Sequence, residues 1–257
     1  MLTNEEILHI ALKQSAIDYG CEPEDFLGEQ GKVFISRTNP QARKYLPLPF
    51  AFDMTSYGNC IVAQCREDLM PVAEEYMAKY DVGHALETPH LQALDEMLAP
   101  HNLKTCFMAE YFLPDVEILR ELPCDYELRI LTQTDFADLY RPEWSDALCE
   151  KRKELDVLGV GAYDGEKLVG MAGCSADCED MWQIGVNVLP QYRRQGIAAA
   201  VTSRLALEIL ARGKVPFYCA AWCNLKSVRN AIKCGFRPAW VTVTARDAAF
   251  VDEMNNN

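Results

Sequence analysis

Apolar and polar positions alternate with two different periods along this chain, and the period switches several times. Near the start, Ile7, Leu8, Ala11 and Leu12 recur at helical spacing. Thr3 followed by Glu6 is a capping-box pair, and Gly20 supplies a stop. Short β-like runs follow: KVFIS, FAFDM and CIVAQC, the last two joined through Tyr57-Gly58-Asn59. The proline-bearing stretch NPQARKYLPLP between the first two reads as a loop. Helices are predicted over about 68–80 and 89–99, then a strand in KTCFMAEYFL closed by Pro114, then a short helix over 115–121. After residue 125 the pattern predicts a strand at 126–131 and helices at about 134–140 and 142–154. Next come two strands around Asp164-Gly165 and a further strand, MWQIGVNVL. A helix from Gly196 to about Arg212 has Ile197, Val201, Leu205 and Ile209 on one face, and Gly213 ends it. The strand VPFYCAAW, the helix NLKSVRNAIKCG and the strand PAWVTVTA complete the order. Such a mixture is α/β in the broad sense, a mixed α+β chain.

At 257 residues with 49% hydrophobic positions, the chain can bury one large core or two small ones. No apolar run approaches the roughly 18 residues of a membrane span, and acidic residues occupy the start where a secretory leader is basic. A soluble, cytoplasmic protein without a membrane partner is therefore expected. Eleven cysteines cannot all pair within one chain, and Cys174/Cys178 and Cys219/Cys223 lack a completing histidine. They are read as thiols in a reducing compartment, with no metal site.

Charge changes that picture in one respect. Residues 1–126 carry 9 basic and 21 acidic side chains, whereas residues 127–257 carry 16 and 17. Within 193–246 there are ten Lys or Arg residues against Glu208 alone. A boundary is therefore placed at Pro123-Cys124-Asp125, giving an N-terminal α/β domain over 1–125 and a second domain over 126–257. Overall acidity argues against nucleic acid as a partner.

The basic region opens with QYRRQGIAAAV, residues 191–201. A strand ends at Leu189-Pro190, a turn carries Arg193 and Arg194, and a helix starts after Gly196. The first turn of a helix leaves N–H groups unbonded, and the dipole adds positive potential, so this is an anion site in outline. Gly196 and Ala198 leave the backbone accessible. Neither GxxxxGK[ST] nor a strand-linked GxGxxG occurs, which argues against a P-loop or dinucleotide fold.

Taken with the downstream run NLKSVRNAIKCGF, the segment resembles the GNAT superfamily of acyl-CoA-dependent N-acetyltransferases. The family's [QR]-x-x-G-x-[GA] turn is matched by Arg193, Gly196 and Ala198. Its V-x-P-x-[YF]-R is matched by Val188, Pro190, Tyr192 and Arg193, and its N-x-x-S…GF by Asn224, Ser227, Gly235 and Phe236. The resemblance spans about residues 127–246. It implies a C-terminal GNAT fold with a mixed, mostly antiparallel sheet splayed between its fourth and fifth strands. The N-terminal half is then a candidate degenerate GNAT-like half of a two-part protein, able to complete the sheet edge after Gly235-Phe236. The implied cosubstrate is acetyl-CoA. Main-chain groups of Val186, Asn187 and Val188 would bond its pantetheine arm. The pyrophosphate would sit on Arg194, Gln195, Gly196, Ile197, Ala198 and Ala199, with Arg193 adding charge. Asn224 and Ser227 would reach the arm or the thioester sulfur, although Asn224 also suits a helix cap.

For catalysis the family implies direct attack of an amine on the thioester in a ternary complex, with a base and an acid managing protons. Where many members have a tyrosine acid this chain has Ala231, and where many have a glutamate on the fourth strand it has Gln183. Ser227, Asp177 and Tyr218 remain as candidates, with Cys174 behind them. Asp177, Glu179 and Asp180 read first as surface carboxylates. The expected reaction is acetyl transfer to a primary amine of a small molecule. A coenzyme-binding sensor without turnover and a protein or peptide acetyltransferase are the alternatives, and a homodimer stays open.

Overall fold

The computed structural model describes residues 2–256. The chain forms two compact units, one of residues 2–10 and 111–238, the other of 11–110 and 239–256. The chain passes from one to the other at Ile10/Ala11, Glu110/Tyr111 and Pro238/Ala239, and not at 125/126. Two twelve-residue strands, β4 (Leu103–Pro114) and β10 (Phe236–Asp247), each begin in one unit and end in the other. The charge step near residue 126 therefore marks a change in composition, not in packing.

In the unit that carries the basic motif, β5 (Glu127–Thr132), β6 (Asp156–Asp164), β7 (Lys167–Ser175) and β8 (Met181–Val188) pair antiparallel in sequence order. β9 (Val215–Ala221) adds to β8 in parallel. β6 and β7 turn through Gly165, at φ +60°. α4 (Ile197–Ala211) lies on one face of β6, β7 and β8, and its four expected core positions are at most 1% exposed. α5 (Leu225–Lys233) packs beside it, with Asn230 Nδ2 donating to Thr202 Oγ1 at 3.1 Å.

The opposite face is covered by 133–155, where two helices are expected. Short 3-10 segments stand there instead, at Gln133–Phe136, Pro142–Trp144 and Glu150–Leu155, the last kinked at Arg152. The cause lies in the strands below. A Cβ on Gly185 would come within 1.7 Å of Asp146 O, and one on Gly173 within 2.2 Å of Ala147 O. The covering backbone rests directly on glycines, whereas a regular helix would hold it off by a layer of side chains. Phe136, Trp144 and Leu148 fill the space on either side. The helix expected at 115–121 is likewise a turn, in which Ile118 and Leu119 N–H groups both donate to Asp115 O.

The other unit pairs β1 (Lys32–Ile35) with β3 (Val62–Cys65) in parallel, β3 with β2 (Phe52–Ser56) antiparallel, and β2 with β10 antiparallel. The last strand thus gains an N-terminal neighbour. α2 (Met70–Lys79) and α3 (Thr88–Leu98) close one core through Leu69, Tyr76, Leu94 and Leu98. α1 (Asn4–Tyr19) starts at the expected capping box, with Thr3 N–H donating to Glu6 Oε2 (2.8 Å) and Glu6 N–H to Thr3 Oγ1 (3.2 Å). A final helix, α6 (Ala248–Asn256), was not legible from pattern; it rests on β4 through a Phe107–Phe250 ring contact and a Lys104–Asp252 ion pair. No helix among the described residues is long and apolar enough to cross a membrane.

Candidate functional site

β8 is the strand around which the site is built. Its ladder with β7 runs from Gln183 to Val188, but its ladder with β9 covers only Met181–Ile184, and Ile184 opposite Tyr218 is the last pair. From Gly185 to Val188 the edge facing β9 has no ladder partner among the described residues, and all four residues are half-buried. A strand edge so left presents N–H and C=O groups to whatever enters the gap. Val186, Asn187 and Val188 lie on this open stretch.

The turn beyond β8 is rigidly made. Leu189 N–H donates to Val169 O at 3.0 Å and Tyr192 N–H to Leu189 O at 2.9 Å. The side chain of Arg193 folds back, its Nε donating to Val188 O at 3.1 Å, so part of its bonding capacity builds the turn. Gln195 Oε1 accepts from Tyr126 OH at 2.7 Å, and its amide nitrogen reaches Gln191 O at 3.4 Å, which leaves its main chain as its contribution. Arg194 (φ +65°) and Gly196 (φ +84°) both adopt left-handed conformations. Among the described residues none accepts a hydrogen bond from the N–H groups of Arg194, Gln195 or Gly196. Gly196 caps α4 without a side-chain bond, and the N–H groups of Ile197, Ala198 and Ala199 follow as the first turn. Left-handed residues followed by a helix start make an anion-binding concavity, with exposed Arg194 beside it.

On the α4 side of the fork, Tyr218 is 2% exposed and its hydroxyl stands 2.8 Å from Ser227 Oγ. Burial pushes the phenol above its usual pKa, opposed by hydrogen bonds with Ser227 and Asn230. Ser227 N–H donates to Asn224 Oδ1 at 3.2 Å, so Asn224 is a helix cap. Ala231 is fully buried and fills space.

The carboxylates near β8 differ in their surroundings. Asp177 is not a surface group: it is fully buried, with Arg152 Nε 3.3 Å from its Oδ1. Glu179 is exposed and Asp180 pairs with Lys214 at 3.3 Å, as surface residues do. Asp156 is also buried and is raised to about 6, first by burial, although it accepts from Cys149 N–H at 2.8 Å. Gln183 donates to Cys219 Sγ at 3.0 Å. Cys174 is buried, and burial drives its thiol far above the usual range, which removes it as a proton carrier. Among the described residues no group of three His, Cys, Asp or Glu side chains is placed to hold a metal ion.

One arrangement here lies outside the sequence reading. Asn187 Oδ1 accepts from the N–H groups of Asp146 (2.9 Å) and Ala147 (2.8 Å), while its Nδ2 donates to Asp146 Oδ2 at 2.7 Å. Asp146 is thereby tied to β8 above Gly185, the first residue without a β9 partner. The glycines at 173 and 185, each inside a strand, were the available signal for a close backbone approach.

A model of the GNAT acetyltransferase family matches residues 31–240. No curated protein matches the chain. Similar solved structures include an acetyltransferase of the GNAT family from Novosphingobium aromaticivorans, with 20% identity and a TM-score of 0.42, the match covering 56% of this chain and 66% of that one. A GCN5-related N-acetyltransferase-like protein from Streptococcus suis gives 20% identity and 0.44, covering 62% and 69%. A GNAT-family acetyltransferase from Colwellia psychrerythraea gives 16% and 0.43, covering 60% of each. The matched part thus spans about two thirds or less of these solved chains.

Proposed function

Because the chain belongs to the GNAT acetyltransferase family, we propose that it transfers an acetyl group from acetyl-CoA to a primary amine of a small molecule. The observation that carries this reading is the fork. β8 parts from β9 after Ile184–Tyr218, and the open edge leads to a turn in which the N–H groups of Arg194, Gln195 and Gly196 find no acceptor among the described residues. The donor set fits a pyrophosphate: N–H groups from Arg194 to Ala199, a helix start, and an exposed guanidinium. Val186, Asn187 and Val188 would hold the arm by main-chain bonds, with Asn224 and Ser227 at its other side.

The bound coenzyme supplies an activated thioester and a thiol leaving group. The residues of this chain handle the proton. Tyr218 is poised as donor to the departing sulfur, because it stands at the fork, its raised pKa keeps it protonated, and Ser227 can pass a proton back from solvent. This relay takes the place of the tyrosine that Ala231 replaces. Asp177 is a poor candidate for base, since its charge is buried and committed to Arg152.

Calorimetric titration with acetyl-CoA, followed by thiol release over a panel of primary amines, tests the reading. Saturable binding and amine-dependent thiol release are expected, and no binding would overturn it. A second reading, coenzyme binding without turnover, is favoured by Ala231 and Gln183, which cannot perform the acid and base steps. Binding with no thiol release for any amine or lysine peptide would select it. Transfer to the peptides alone would move the acceptor from small molecule to protein.

A further inference from the structure

We propose that Asp146 is the residue that receives the acceptor's amino group at the fork, and that the acceptor is cationic. The inference rests on the reading that the open edge of β8 holds the thioester. Three observations lead to it. Asp146 is held on the strand face opposite α4, directly over Gly185, where the β9 partner is lost. Its position is fixed at both main chain and side chain, because Asn187 takes the N–H groups of Asp146 and Ala147 and donates to Oδ2. And it is exposed, with Oδ1 facing no recorded partner among the described residues.

Of the other acidic groups near β8, Asp177, Asp156 and Asp180 are committed, and exposed Glu179 precedes Met181, at the end of the strand away from the fork. Asp177 and Asp156 are buried, the first against Arg152 and the second on Cys149 N–H. Gln183 is neutral and spent on Cys219. Asp146 is therefore the accessible carboxylate that is tied to β8 at the fork, on the face away from the Tyr218–Ser227 pair. A carboxylate placed there recruits an ammonium, and after its proton has gone to solvent keeps the amine oriented by N–H···O bonds. Asn187 is the positioning residue. An acceptor whose nitrogen is uncharged at the working pH, such as an aromatic amine, gains nothing from the charge.

Two measurements decide it. The Asp146→Cys variant is incubated with bromoacetyl-CoA, whose CH2–Br carbon stands where the acetyl carbon would. Attack by the thiolate forms the C–S bond and expels bromide, and peptide mass spectrometry reads the adduct. Alkylation at position 146, blocked by excess acetyl-CoA, is expected. Reagent that competes with acetyl-CoA yet leaves position 146 unmodified overturns the role of Asp146 alone. Reagent that does not compete at all overturns the coenzyme reading, and this inference with it. In parallel, Asp146→Asn keeps an acceptor for Asn187 and so keeps the fold. With cationic amines its KM should rise about 10–100-fold while acetyl-CoA affinity stays unchanged, and Asp146→Glu should recover part of the loss. An unchanged KM for every amine turned over refutes the charge-based recognition.

Discussion

The hydroxyl of Tyr218 lies 2.8 Å from Ser227 Oγ, and Tyr218 is also the last residue of β9 in register with β8. The pair therefore sits where the two strands part, on the side of the sheet that α4 and α5 cover. Replacing Tyr218 with Phe removes one oxygen from a buried ring and keeps its packing. If the phenol protonates the leaving sulfur, kcat for thiol release should fall about 100-fold with acetyl-CoA affinity unchanged. Ser227→Ala should lose less, because water can replace a hydroxyl relay. A Tyr218→Phe enzyme within threefold of wild type would show that the sulfur leaves unassisted by this group.

The contact between Gly185 and Asp146 O admits no methyl group, since an added Cβ would lie 1.7 Å from that oxygen. Gly185→Ala must lift the Asp146–Ala147 backbone or bend β8. We expect a loss of about 1–3 kcal/mol in unfolding free energy, read by denaturant titration. The amine KM should rise as well, because the segment that Asn187 ties down would no longer rest on the strand. A variant as stable as wild type would mean that this segment stands off the sheet in solution.

How far the sequence carries depends on whether a feature is local. The Thr3–Glu6 box and the Ile197–Ile209 face of α4 are matters of spacing along one segment, and both could be read directly. The same holds for QYRRQG, whose left-handed Arg194 and Gly196 follow from a turn that must enter a helix at once. The region 133–155 could not be read this way. Its pattern of Leu139, Trp144 and Leu148 resembles a helical stripe, but its backbone is drawn onto Gly173 and Gly185 from other strands. Asp177 looked like a surface carboxylate because its partner, Arg152, is twenty-five residues earlier. Asp146 and Asn187 are likewise brought together only by folding. The missing information in each case is a contact across the sheet, which no single-segment periodicity encodes.

Arg194 stands exposed at the turn with a positive φ. Reversing its charge with Arg194→Glu leaves the backbone N–H groups in place but sets a carboxylate against any phosphate they hold. Acetyl-CoA binding by calorimetry should weaken at least 10-fold, about the worth of one charge-assisted bond with its reversal. Stability should scarcely change, because the side chain buries little. Affinity equal to wild type would place the pyrophosphate elsewhere.

The Asp18–Arg43 pair should be more sensitive than any exposed ion pair in the chain. Asp18 is fully buried at its side chain and Arg43 is 5% exposed, and Arg43 N–H also donates to Asp18 Oδ1 at 2.9 Å. Burial raises the Asp18 pKa, and the charge of Arg43 opposes that rise. Arg43→Met would leave a buried carboxylate without its cation, a loss of about 3–5 kcal/mol by thermal or denaturant unfolding. Lys32–Asp25, in which Lys32 is 57% exposed, should respond far less to Lys32→Met. Equal losses in the two variants would contradict the burial of the first pair.

Asp53 gives the protein a pH dependence whose sign can be worked out. It is 4% exposed, and burial raises it from 3.8 to about 7, against hydrogen bonds from the Thr244 and Tyr19 hydroxyls, with the nearby charge of Asp18 adding to the rise. Between about pH 4 and 7 the folded chain holds a proton that the unfolded chain releases. Stability due to this group therefore falls as pH rises through that window and is level above it. Asp156, raised to about 6, contributes with the same sign between about 4 and 6. Asp53→Asn removes the titration and offers the two hydroxyls an amide of the same shape. The difference in unfolding free energy, variant minus wild type, should be near zero at pH 4 and grow to on the order of 2–4 kcal/mol in favour of the variant at pH 8. Measuring the difference, and not the wild-type curve alone, cancels the contribution of Asp156 and keeps that of Asp18 only through its coupling to Asp53. A difference that stays flat from pH 4 to 8 would mean that Asp53 is ionised at both ends, with its buried charge met by groups that the unfolded chain lacks.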